Sequence, residues 1–125
     1  MVKKKIVICA TVKNEEKNLV KFFKKVDSLI SSFEEYYLIF VLSDTSDNSE
    51  NLIDDYLKNR KGNLIIKNFD NQINRIEKLE ICRNEYLEFI RKKNEINFYD
   101  YLIVMDVDGV NNILNDKILN KSIKK

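Results

Sequence analysis

The 125-residue chain has no histidine, no proline, and only two glycines and two cysteines. Without histidine, and with no metal-type spacing between them, Cys9 and Cys82 cannot complete a zinc site and read as reduced core residues. The commonest general base is also missing. With no proline- or glycine-rich stretch there is no linker or low-complexity boundary, and the length suits one domain. An excess of one charge is lacking too. Lys and Arg total 22 against 20 Asp and Glu, a net +2, which is too balanced for a general nucleic-acid binder. Lys3 to Lys5 and the Lys121, Lys124 and Lys125 tail read as solvated termini. The first apolar run, Ile6 to Ala10, is too brief for a signal segment or a membrane span, so a cytoplasmic location is the expectation.

What is present is a regular alternation of strands and helices. Lys5 to Thr11 is apolar and β-branched, and Asn14 is placed to cap a helix from about Glu15 to Ser32. Leu19, Phe22, Val26, Leu29, Ile30 and Phe33 form its apolar face. Tyr36 to Leu42 is an uninterrupted apolar strand, as expected of one covered on both sides. Asp47 and Glu50 have capping-box spacing for a helix carrying Leu52, Ile53, Tyr56 and Leu57, and Gly62 is expected to close that unit.

Leu64 to Ile66 forms a third strand. After a polar link, a helix from Arg75 to Lys93 presents Ile76, Leu79, Cys82, Tyr86, Leu87 and Ile90, and Tyr99 to Met105 forms a fourth strand. The order predicts an α/β, Rossmann-like three-layer sandwich around a mostly parallel sheet of about four strands, ordered 3-2-1-4. Ligands would bind beyond the strand C-termini at the reversal, where Thr11 to Asn14, Asp44 and Asp106 to Asp108 share one crevice.

Asp106-Val-Asp108 ends the fourth strand. Its carboxylates lie on the same side of an extended chain, and Gly109 lets the backbone turn away. Two hard oxygen ligands there suit Mg2+ or Mn2+, whose shell is commonly completed by water and substrate phosphates; the alternative is a turn whose acids cap nearby amides. Arg83 falls near the centre of the third helix's apolar stripe, where a charge is costly unless paired. Its partner would be Asp44, Asp106 or Glu80, or else a diphosphate or nucleotide. Capping leaves Asp44 unexplained, so a base or ribose contact is expected there. Arg75, opening the third helix, is either exposed or directed at phosphate.

Four segments together resemble the nucleotide-binding half of a GT-A-fold glycosyltransferase, closest to capsule-type mannosyltransferase-like proteins. They are Ile6 to Glu16, with its Asn14-Glu15 pair; Ser43 to Ser49, like an S/T-D-N loop; Ile81-Cys-Arg-Asn84, like an A-R-N segment; and Met105 to Gly109, like the D-x-D. Their order and spacing cover nearly the whole chain. The resemblance implies a single domain over 1–125 that binds a nucleotide-diphosphate sugar. It further implies Mn2+ or Mg2+ held chiefly by Asp108, ribose or metal-water contacts from Asp106, base contacts from the Thr11 and Asp44 loops, and Arg83 near the diphosphate; Val12, Asn14 and Arg75 complete the expected nucleotide-binding set. The sugar would pass to an acceptor the sequence does not identify.

In that fold the acceptor-binding half normally follows the D-x-D. Here Val110 to Lys125, with Ile113, Leu114, Ile118 and Leu119, is enough for a short helix. A truncated transferase, or a non-catalytic nucleotide-sugar or interaction module completed by a partner chain, is therefore expected, and the sheet edge beyond the fourth strand favours a homodimer. Asp106-Val-Asp-Gly-Val110 also resembles the nucleophile loop of haloacid-dehalogenase-type phosphatases, although that motif normally opens its domain.

Overall fold

A computed structural model describes residues 2–69, 72–93, 96 and 99–107. The elements run β1 (Val2–Val12), α1 (Glu16–Ile30), β2 (Phe33–Ser43), α2 (Ser49–Leu57), β3 (Gly62–Lys67), α3 (Arg75–Lys92) and β4 (Tyr101–Asp106). All pairings are parallel and the sheet order is β3-β2-β1-β4, as the alternation predicts. Right-handed crossovers explain the layers. Steps β1 to β2 and β2 to β3 travel one way, so α1 and α2 share a face, while β3 to β4 travels back and puts α3 on the other.

The strands alternate accordingly. Ile6, Ile8, Ala10 and Val12 of β1 join Leu38, Phe40 and Leu42 of β2 against Leu19, Phe22 and Val26 of α1 and Ile53 and Tyr56 of α2. Val7 and Cys9 join Tyr37, Ile39 and Val41 against Cys82 and Tyr86 of α3. Each large apolar side chain so buried stabilises the fold by about 1.5–3 kcal/mol. The α1/α2 side is tied further by Tyr56, which stacks on Phe23 at 3.9 Å. Arg60 covers the Tyr56 ring at 3.9 Å while its guanidinium donates twice to Asp27, both at 2.9 Å. Both cysteines are free and buried.

Three local expectations are corrected. Gly62 opens β3 instead of closing the preceding helix, pairing with Leu38. Asn14 does not cap α1: the N-cap residue is Glu15, and it makes no side-chain cap. Neither does Asp47 form a capping box with Glu50, since α2 begins at Ser49 behind an N-cap Asn48 that also lacks a side-chain cap. Instead the two helix starts cap each other. Asp47 Oδ2 accepts the Glu16 N–H at 3.1 Å, and Glu16 Oε1 accepts the Asn48 N–H at 3.0 Å. Buried Ser49 accepts the Glu15 N–H at 3.0 Å. The Glu15 and Glu16 amides of one helix start and the Asn48 amide of the other are thereby satisfied across the gap.

The third helix also differs from its predicted face. Ile76 and Leu79 are 76% and 49% exposed, while Cys82 and Tyr86 are buried and Leu87 and Ile90 pack partly buried against the same core. Arg83 is one residue, roughly 100°, around the helix from Cys82, and it is exposed. The expected buried charge does not exist, because the line of contact with the sheet is rotated from the average apolar direction of the whole helix. Among the described residues no helix is long and apolar enough to cross a membrane. Asp108 and the short helix expected over Ile113, Leu114, Ile118 and Leu119 lie outside the described residues.

A candidate ligand cleft at the strand C-termini

β1 and β4 run side by side with Thr11 opposite Asp106, which is the point where the strand order reverses. A cleft of about 630 Å³ opens there. Four of the predicted ligand residues line it together: Thr11, Val12, Arg75 and Asp106. Val12 is 1% exposed in the core and serves as wall. Asp106 is exposed, on the α3 side of the sheet, and Arg75 starts α3 directly beside the cleft. The N-cap that aims this helix is Asn74, whose Oδ1 accepts the Glu77 N–H at 2.9 Å.

Three predicted residues do not line the cleft: Asn14, Asp44 and Arg83. Asn14 builds its rim. With φ of 50° it occupies the left-handed region that asparagine tolerates better than most side chains. Its Oδ1 accepts the N–H groups of Ser46 at 2.8 Å and Asp47 at 3.3 Å, and its own N–H donates to Thr45 Oγ1 at 3.3 Å. This side chain clasps the loops after β1 and β2 alongside the Glu16, Asp47 and Ser49 bridges already described.

Asp44 is also left-handed, at φ 45°. Its Oδ1 accepts the Phe69 N–H at 2.8 Å, and its Oδ2 lies 3.5 Å from the Lys78 ammonium. The Phe69 hydrogen bond, aided by Lys78 and against partial burial, holds this carboxyl below its ordinary value. Asp47 is also held low. Burial pushes it up, but hydrogen bonds from Ser49 and the Glu16 amide outweigh that.

For both carboxylates the folded state favours the charged form. Their contribution is present above the unfolded value of about 4 and is lost as pH falls through the lower folded value. The urea midpoint of the wild type is therefore expected to hold from pH 7 to about 5 and to fall below about 4, with Asp47→Asn less stable at neutral pH and converging on it in acid. A gap between the two proteins that stayed constant with pH would show that Asp47 acts through shape alone.

Lys13 and Val107 fall within the segments expected at the crevice, and Glu15, Ser43, Lys78, Leu79 and Cys82, none named as a ligand residue, complete the lining. The α3 members were findable, since Arg75, Lys78, Leu79 and Cys82 are spaced i, i+3, i+4 and i+7 and so share one helix face. Lys13, Arg75 and Lys78 outnumber Glu15 and Asp106 in the lining, which leaves a small excess of positive charge. Burial raises the Cys82 thiol above its ordinary value, so it stays protonated as part of the wall. No known family model matches the chain, and no curated protein matches it.

Proposed function

We propose that the chain is a glycosyltransferase-type domain that binds a nucleotide-diphosphate sugar in this cleft and passes the sugar to an acceptor. The observation that carries this reading is the convergence of Thr11, Arg75 and Asp106, from three separate elements, on one cleft at the strand-order reversal. Open parallel sheets bind ligands at that place. The cleft's chemistry agrees: Lys13 and Arg75 offer positive charge to a diphosphate, while Ser43 and Thr11 offer hydroxyls to a ribose or base.

We extend the proposal to a divalent cation, although no group of three or more Asp, Glu, Cys or His gathers among the described residues. Mg2+ is commonly bound through one or two carboxylates and completes its shell with water and substrate phosphates. Asp106 supplies an exposed carboxylate inside the cleft, and Asp108, proposed as its companion, lies outside the described residues. When bound, the metal would neutralise a nucleoside-diphosphate leaving group. The chain's own part is to hold the diphosphate between the first turn of α3 and the end of β4.

Incubation of the purified protein with Mn2+ and a panel of nucleotide sugars is expected to release nucleoside diphosphate by transfer or hydrolysis from one of them. Asp106→Asn is expected to lower that release at least tenfold. Tight calorimetric binding of a nucleotide sugar with no release from any of them would leave a binding module and remove the transferase. The protein would then be a nucleotide-sugar carrier or sensor.

A further inference from the structure

Lys78 stands between the cleft and a carboxylate that does not reach it. Its side chain lines the cleft and is 24% exposed, and its ammonium lies 3.5 Å from Asp44 Oδ2. That oxygen is buried and has no hydrogen-bond partner among the described residues. Its sister Oδ1 is held by the Phe69 amide, so the carboxylate cannot rotate toward the ligand without giving up that bond.

We propose that Lys78 is a shared cation, held by Asp44 in the free protein and recruited by a phosphate group of the ligand when one enters the cleft. The inference rests on the donor-site reading and names the group that sets its affinity for a diphosphate. A charge-assisted N–H···O bond closes to about 2.7–2.9 Å. The Asp44 contact stops well short of that, so the pair is attractive but loosely made. An ammonium has three donors and no acceptor, which leaves Lys78 able to turn to a second anion at modest cost.

Lys13 and Arg75 are exposed, and Lys13 stands near enough to Asp44 to help hold its carboxyl low, whereas Lys78 is the cation in direct ion-pair contact with it. Asp44 therefore acts as an internal rival to the ligand's phosphate. Removing it frees Lys78, and removing Lys78 takes away both sides of the competition.

Inorganic pyrophosphate, titrated calorimetrically into the wild type, Asp44→Asn, Lys78→Met and the double variant, tests this. Asp44→Asn keeps an oxygen for the Phe69 amide and a residue that tolerates positive φ, and Lys78→Met keeps the apolar stem. Circular dichroism of all four proteins verifies the fold. Asp44→Asn is expected to bind pyrophosphate about threefold to tenfold more tightly than the wild type, and Lys78→Met about tenfold more weakly. The double variant is expected to match Lys78→Met.

The proposal is overturned by an Asp44→Asn gain of the same size in the Lys78→Met background, which would mark a long-range field. It is equally overturned by unchanged affinity in Asp44→Asn, or by no pyrophosphate binding in either the wild type or Asp44→Asn. Stabilisation of the wild type by a nucleotide sugar alongside an additive cycle would retain the donor site and discard the shared cation. A cycle that closes on Lys78 without any nucleotide-sugar binding would do the reverse.

Discussion

Gly62→Ala is expected to lower the unfolding free energy by roughly 3 kcal/mol, the upper end of the range for overpacking a filled core. A Cβ at this position would lie 2.6 Å from the Leu38 carbonyl oxygen, 2.9 Å from Leu38 Cβ and 2.9 Å from Leu57 Cδ2. Leu57 ends α2 and can swing aside. The Leu38 carbonyl cannot, because Leu38 is fully buried in β2, between β1 and β3. The strain must therefore separate β3 from β2, where Gly62 meets Leu38 in register. Urea unfolding followed by circular dichroism measures the loss, and a midpoint within error of the wild type would show that β2 and β3 are not held together as described.

Asn14→Ala is expected to cost about 2 kcal/mol, in two separable parts. Alanine in the left-handed region costs roughly 1–2 kcal/mol. The lost acceptor for the Ser46 and Asp47 amides adds about 0.5–1.5 kcal/mol, reduced where water replaces it. Asn14→Gly removes the acceptor but not the conformational freedom, so it should recover about half of the loss. Both variants loosen the loop after β1 from the loop after β2, leaving the Glu16, Asp47 and Ser49 bridges in place. Lys13, which lines the cleft beside Asn14, is held less firmly, so ligand affinity should fall in both. If glycine and alanine behaved alike, the backbone at Asn14 would not be strained, and the clasp would be its hydrogen bonds alone.

The architecture was legible because β1 and β2 are continuous apolar runs and the connecting helices are too long for anything but parallel crossovers. Once the strand order is granted, chain direction alone places Thr11, Arg75 and Asp106 at one end of the sheet. The capping chemistry was legible only as residue type. Asn14, Glu16 and Asp47 are the right residues for helix starts, but each satisfies an amide in the other loop, and no local spacing rule reports a partner about 30 residues away.

Arg83 was misplaced for a related reason. The apolar residues of α3 describe one averaged face, whereas the helix meets the sheet along Cys82 and Tyr86, with Leu87, Phe89 and Ile90 partly buried beside them. Asp44 drew notice as a carboxylate without a capping role, and its actual partner, Lys78, was hidden because an exposed-looking lysine on a charged helix carries no signal of its own.

The cleft at the end of β1 and β4 is the proposed nucleotide-diphosphate site. The most direct test is a thermal-shift screen of nucleoside diphosphates and their sugars, with and without Mn2+, on the wild type and Asp106→Ala. Selective stabilisation by one base, larger with Mn2+ and losing its metal dependence in Asp106→Ala, is the predicted result; a ligand at a hundred times its Kd contributes about 2.7 kcal/mol. No shift with any nucleotide at millimolar concentration would contradict it.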